Sequence, residues 1–132
     1  MSSCCGGGAT YLLYPCSGVS DTGEIADRAA RLLSRTGQGR MSCLAQIGAG
    51  NAALIDASSR ATGLVAIDGC AQDCSKKMME ARGLTNILHL RVTDLGLPKG
   101  KSPVTEENVA KVMSAALELM PAGSDSGGSC CG

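Results

Sequence analysis

The chain has 132 residues, of which 44% are hydrophobic and 18% charged, a length and balance typical of one folded domain and unlike a disordered chain. Its 12 basic and 12 acidic residues cancel, so we expect neither nucleic acid nor an anionic membrane surface as a partner. No apolar run approaches the roughly 20 residues of a membrane-spanning helix, and the first residues do not resemble an export signal, so we expect a cytoplasmic protein.

The two ends of the chain differ in composition from the middle. Residues 1–9 and 121–132 consist mostly of Ser, Gly, Cys and Asp, which bury too little apolar surface to fold. We therefore predict flexible tails at 1–9 and 121–132 and one folded domain at 10–120.

Short apolar runs alternate with amphipathic segments through the predicted domain. The first pair is a strand at 11–14 followed by a helix at 22–34, in which apolar residues recur at helical spacing. A weaker strand at 40–44 and a helix at 51–59 form the second pair. Each pair is one predicted β-α unit.

The second half of the domain repeats this alternation. A continuous apolar run at 64–67 predicts a strand covered on both faces, and a helix is expected at 70–82. The last pair is a strand at 86–92 and a helix at 105–120. Repeated β-α units predict a doubly wound, mostly parallel sheet with helices on both faces, of the Rossmann-like or flavodoxin-like kind.

Eight cysteines are unusual for a chain of this length. Because thiols of cytosolic proteins are kept reduced, this number favours metal binding or thiol chemistry over structural disulfides. Ligands of doubly wound folds bind beyond the carboxyl ends of the strands. Three cysteines follow predicted strands there and are spaced 27 positions apart: Cys16, Cys43 and Cys70.

Cys74 completes a candidate set of four ligands. It lies four positions after Cys70, and on a helix such positions share one face, with Cβ atoms about 5–6 Å apart. Helix N-termini are expected to lower thiol pKa values and so to favour the thiolate form. Four thiolates satisfy tetrahedral zinc, so we predict one zinc site formed by Cys16, Cys43, Cys70 and Cys74.

The residues around these cysteines resemble a known family over residues 10–120. The matching pieces are Tyr14-Pro15-Cys16-Ser17-Gly18, Cys43-Leu44-Ala45, Asp68-Gly69-Cys70 with Cys74, and Val92-Thr93-Asp94-Leu95-Gly96. They resemble the DGC domain family, which is named for the central tripeptide. The resemblance implies that the four internal cysteines bind zinc, and it brings no specific enzymatic activity with it. For such a site we expect a role in metal handling or sensing.

Other chemistries remain open at the same residues. A thiol-dependent redox enzyme would use Cys16 or Cys70 as its reactive cysteine, although the Cys-x-x-Cys spacing is absent. The loop after Cys16 also resembles the phosphocysteine loop of sugar-transport enzyme IIB proteins, which makes an anion-binding loop a minor alternative. An iron–sulfur cluster is the alternative to zinc, because it too takes four cysteines.

Several further residues carry weaker expectations. His89 is expected to be a partly buried sheet residue, not a ligand or a base, because it lies inside a predicted strand. Asp68 and Asp94 follow strands and are expected either to hydrogen-bond the ligand loops or to form turns. The tails carry two adjacent cysteine pairs, expected to be incidental, with capture of soft metal ions as the alternative: Cys4, Cys5, Cys130 and Cys131.

Overall fold

The computed structural model describes residues 9–120. Nearly all of both predicted tails, including the cysteine pairs Cys4-Cys5 and Cys130-Cys131, therefore lies outside the described residues. The elements in chain order are β1 (Tyr11–Pro15), α1 (Asp21–Arg35), β2 (Arg40–Met41), α2 (Leu44–Gly48), α3 (Ala52–Ser59), β3 (Gly63–Asp68), α4 (Cys74–Glu80), β4 (Ile87–Arg91), a 3-10 helix (Val92–Leu95) and α5 (Glu106–Glu118).

The strands form one parallel sheet in the order β2-β1-β3-β4. This arrangement confirms the predicted doubly wound α/β fold. The chain moves from β1 to one side and then returns to place β3 on the other, so the strand order reverses between β1 and β3. In open parallel sheets the crevice at such a reversal is the usual place for a ligand.

Apolar side chains cover both faces of the sheet. Leu13 and Val65 point toward α1 and α5, whereas Tyr14 and Ala66 point toward α2, α3 and α4. All six residues of β3 are buried, which explains why its sequence is continuously apolar up to Ile67 instead of alternating. Complete burial of each large aliphatic side chain contributes about 1.5–3 kcal/mol to folding.

Helix α1 begins at Asp21, one position before its predicted start at 22. The Ser20 side chain accepts a hydrogen bond from the Gly23 amide at 3.1 Å, and Asp21 and Glu24 place negative charge in the first turn, where the helix dipole favours it. No helix within residues 9–120 has the length and apolar character needed to cross a membrane.

Two predicted elements are shorter than expected. Strand β2 contains only Arg40–Met41 instead of residues 40–44, because the chain turns at Ser42 and enters α2. The helix predicted at 70–82 contains only Cys74–Glu80. It starts late because Asp73 has a left-handed backbone, with φ of 54°. The prediction that Cys70 and Cys74 share one face of a helix is therefore wrong, because Cys70 lies in the preceding turn.

Candidate metal centre

Three of the four predicted ligands line one cavity. Cys16, Cys70 and Cys74 border a space of about 200 Å³ beyond the carboxyl ends of β1 and β3. Cys43 does not line it and lies exposed at the start of α2. A larger open groove of about 750 Å³ runs between α1 and α5, but no cysteine lines it. The smaller cavity is therefore the place where three of the predicted ligands converge.

The sulfur of Cys16 is half-buried and receives backbone hydrogen bonds. The Gly69 amide donates to Cys16 Sγ at 3.3 Å, while the Cys16 amide donates to the Ile67 carbonyl at 3.0 Å. Burial raises the pKa of the Cys16 thiol, against the opposing effect of amide donors from Gly18 and Gly69. The expectation that this thiol has a lowered pKa is therefore wrong.

Asp68 fixes the start of α4 although it lies on the preceding strand. Its carboxylate is 1% exposed and accepts hydrogen bonds from the Ser75 amide at 2.7 Å and the Lys76 amide at 3.2 Å. The Ser75 hydroxyl in turn donates to the Tyr14 carbonyl at 2.7 Å. These bonds satisfy amides at the helix start, so Asp68 supports the helix that begins at Cys74.

Asp73 holds the turn between Cys70 and Cys74 in an unusual shape. A left-handed backbone is costly for residues other than glycine, although Asp tolerates it better than most. Arg91 donates two hydrogen bonds of 2.7 Å to the Asp73 carboxylate, and these bonds lower the pKa of Asp73. The forked ion pair therefore ties the turn to β4.

His89 links both carboxylates. Its Nε2 atom lies 3.0 Å from Asp68 Oδ2 and 3.3 Å from Asp73 Oδ1, and its side chain is 20% exposed. The prediction of a partly buried sheet residue is confirmed, but the contacts of His89 with the two carboxylates were not predicted.

Asp94, the other acidic residue expected near the ligand loops, is 64% exposed. Its carboxylate lies 3.8 Å from the Arg91 guanidinium.

Asp68, Asp73 and His89 also have potential ligand atoms within 4.8 Å of one another. Their oxygens are already bonded to the α4 amides and to Arg91, so we interpret the cluster as a positioning network. Among residues 9–120 no three cysteine sulfurs reach this mutual spacing. Coordination of one ion by three cysteines therefore requires their side chains to move closer.

Gly69 is required by the close approach of α1. A Cβ atom at this position would lie 2.8 Å from the Gly23 nitrogen and 2.9 Å from the Thr22 carbonyl carbon. The Asp68-Gly69-Cys70 tripeptide thus combines three local functions. Asp68 holds α4, Gly69 admits the backbone of α1, and Cys70 lines the cavity.

Lys99 is a further residue at the cavity that sequence reasoning missed. Its Nζ atom lies 3.6 Å from Cys70 Sγ. The Asp21 carboxylate accepts the amides of Gly100 at 2.8 Å and Ser102 at 2.9 Å, and these bonds lower the pKa of Asp21. Nothing in local spacing indicates the contact, because it depends on a loop folding back onto α1.

Comparisons with known proteins identify a matching family model and a relative. The family model described as the DGC domain matches residues 12–116. The anaerobic and virulence modulator AnvM of Pseudomonas aeruginosa is 31% identical over 114 residues, which cover 85% of this chain and 87% of that protein. No solved structure matches the chain.

Proposed function

The chain belongs to the DGC domain family, and from this premise we propose that it binds a thiophilic metal ion, with zinc as the expected ion. Cys16, Cys70 and Cys74 are the primary ligands, and Cys43 is the candidate for the fourth. The observation that carries the proposal is the convergence of three thiols on one cavity where the strand order reverses. Thiolate sulfur is a preferred ligand of zinc and other soft ions.

The surroundings of the thiols suit a negatively charged ligand set. Amide hydrogen bonds point at Cys16, and the Lys99 ammonium lies beside Cys70. The amide donors offset part of the burial that raises the pKa of the Cys16 thiol, and a bound cation would favour the deprotonated sulfur that metal binding requires. When bound, zinc would supply a tetrahedral, redox-inactive centre.

Exposure favours metal handling or sensing over a closed structural site. Cys16 and Cys70 are half-buried, whereas Cys43 and Cys74 are exposed. Ligands that face solvent exchange more readily than ligands enclosed in a core. The relative AnvM is named an anaerobic and virulence modulator, a name that is consistent with a regulatory role for this chain.

Thiol redox chemistry is the second candidate, with Cys70 as the reactive residue. The supporting observation is its position, because Cys70 is half-buried at the cavity and the Lys99 Nζ atom lies 3.6 Å from its Sγ atom. Cys16 is the weaker nucleophile, because burial raises its thiol pKa. The anion-binding loop receives less support, because the Asp27 carboxylate lies 2.7 Å from the Ser17 hydroxyl within that loop and would repel an anion.

Metal analysis of anaerobically purified protein tests the proposal. We would use the full chain with the tail cysteines Cys4, Cys5, Cys130 and Cys131 changed to Ser, so that only the internal thiols remain. We expect about one zinc per chain and protection of the thiols until a chelator is added. Finding iron together with sulfide would assign an iron–sulfur cluster instead of zinc. Finding metal-free protein with rapidly reacting thiols would favour a thiol-dependent redox enzyme.

Single substitutions then assign the ligands. Cys16→Ser, Cys70→Ser and Cys74→Ser are each expected to lower zinc affinity by at least about tenfold, whereas Ser42→Ala is the control beside the site. Cys43→Ser reports whether the fourth ligand is internal. Unchanged zinc content in all three primary variants would contradict the ligand assignment.

A further inference from the structure

Resting on the proposed metal centre, we infer that one coordination position opens toward the cavity and accepts an external aliphatic thiolate, which Lys99 attracts. The inference concerns a ligand of the metal and a residue that recognises it. Neither follows from the cysteine pattern alone.

The first observation is the division among the four cysteines. Three of them line the 200 Å³ cavity, but Cys43 does not. Three protein ligands with an exchangeable water or substrate in the fourth position are the arrangement of reactive zinc sites, whereas structural sites are closed by four protein ligands. The cavity leaves room for a group of a few heavy atoms beside the three thiols.

The second observation is that the loop carrying Lys99 is fixed on both sides. Leu97 is 5% exposed and packs in the core, while Asp21 accepts the amides of Gly100 and Ser102. The Ser102 hydroxyl also donates to the Pro98 carbonyl at 2.7 Å. An otherwise exposed lysine is thereby directed to the cavity, where it lies 3.6 Å from Cys70 Sγ.

The chemistry of this pair selects the ligand. A centre that already uses three thiolates favours a soft donor in its fourth position. Lys99 favours an anionic donor, because its ammonium offsets the additional negative charge. A thiolate is both soft and anionic. The incoming thiol would lose its proton to solvent, its sulfur would displace a water from the fourth position to solvent, and no oxidation or reduction would take place.

Two sources of this thiolate are distinguishable. One is a small-molecule thiol, and the other is the set of cysteines in the chain's own tails, Cys4, Cys5, Cys130 and Cys131. Both supply the same donor atom. The experiment therefore compares the natural chain with the variant that carries Ser at these four positions.

Cobalt(II) absorption of the full chain under anaerobic conditions provides the test, with 2-mercaptoethanol as the probe. In the tail-serine variant we expect thiolate-to-cobalt absorption to increase by about a third on titration, as four thiolates replace three. Lys99→Met should raise the half-saturating concentration of 2-mercaptoethanol about fivefold. Lys99→Arg should restore it, and Lys101→Met is the control from the same exposed loop.

Each outcome bears on a separate claim. A full four-thiolate spectrum in the tail-serine variant, insensitive to 2-mercaptoethanol and reduced by Cys43→Ser, would overturn the open position while leaving the metal site intact. Equal half-saturating concentrations of 2-mercaptoethanol in Lys99→Met and Lys101→Met would overturn the role of Lys99. Failure to bind cobalt would remove the proposed function and this inference with it. A saturated spectrum in the natural chain without added thiol would identify the tails as the source.

Discussion

The carboxyl ends of the central strands and of the edge strand β2 hold their cysteines in different ways. At the centre, a buried Asp68 fixes α4, and an ion pair from Arg91 fixes the turn before Cys74. At the edge, Cys43 follows a strand of two residues and precedes a helix of five, and its side chain makes no capping hydrogen bond. Side-chain hydrogen bonds therefore hold the backbone around Cys70 and Cys74, whereas the backbone around Cys43 has little such support.

The difference teaches how a metal centre can be both selective and exchangeable. In the proposed metal centre, the well-supported backbone at Cys16, Cys70 and Cys74 would define where an ion binds, and the three side chains would then have to move closer. Ligands on short, exposed elements exchange more easily, since such segments open at low free-energy cost. We expect Cys16, Cys70 and Cys74 to define the site and Cys43 to contribute little to its position.

The largest expected effect is the loss of the Asp68 carboxylate. Asp68→Asn replaces a buried acceptor of three bonds by a group with one acceptor and an unwanted donor, so unfolding free energy should fall by about 2–4 kcal/mol. Urea unfolding measures the change. Asp56→Asn is the control, because that carboxylate is 67% exposed. Similar losses in both variants would remove the contrast between centre and surface.

Two glycines, Gly69 beside the cavity and Gly48 in α2, test whether packing is tighter at the centre of the sheet than at its edge. A Cβ atom at Gly69 would meet the backbone of Gly23 at 2.8 Å, whereas at Gly48 it would meet the flexible Met78 side chain at 2.8 Å. Gly69→Ala should therefore destabilise the fold by about 1–3 kcal/mol, and Gly48→Ala by no more than about 0.5 kcal/mol, since alanine favours the helix. Thermal unfolding at one concentration compares them, and equal costs would contradict this interpretation.

The sequence predicts the fold better than it predicts the site, for a physical reason. The strands 11–14 and 64–67 lie in the centre of the sheet, so burial on both faces gives them a continuous apolar pattern. Helix α1 carries both its cap and its apolar periodicity within its own residues. Such local signals are sufficient to predict β-α alternation and hence a parallel sheet.

The turn before α4 could not be predicted in this way. Its shape depends on Arg91, which lies 18 positions after Asp73, and helical spacing alone suggested that Cys70 and Cys74 share a helix. The contact of Lys99 with Cys70 likewise spans 29 positions. The raised pKa of Cys16 arises from burial in the finished fold. Contacts between distant segments decide these features, and spacing does not report them.

An intermediate effect is expected from losing the clamp, by which we mean the two hydrogen bonds that Arg91 donates to the Asp73 carboxylate. Asp73→Asn keeps the size and the tolerance of a left-handed backbone but loses the ion pair with Arg91, so zinc affinity should fall about tenfold. Asp73→Gly relieves the backbone cost and loses the same pair. Chelator competition measures both. Similar losses would assign the effect to the clamp, whereas normal affinity in both variants would separate Arg91 from the metal centre.

The smallest effect concerns the bonds from Asp21 that hold the Lys99 loop. Amide donors from Gly100 and Ser102 lower the pKa of Asp21, so their stabilisation is complete above the unfolded value of about 3.9 and is lost as pH falls through the lower folded value. Asp21→Asn should therefore be less stable than the natural chain at pH 7 and should lose less stability on acidification.

Urea unfolding at neutral and at acidic pH measures this difference, with Glu24→Gln as a control that removes an exposed carboxylate from the same helical turn. If Asp21→Asn and Glu24→Gln show the same dependence on pH, the carboxylate does not hold the loop. If only Asp21→Asn loses the acid dependence, the firm support of the central site extends beyond the strands to the loop that carries Lys99. The contrast with the edge cysteine Cys43 would then include Lys99 as well as the three cysteines that line the cavity.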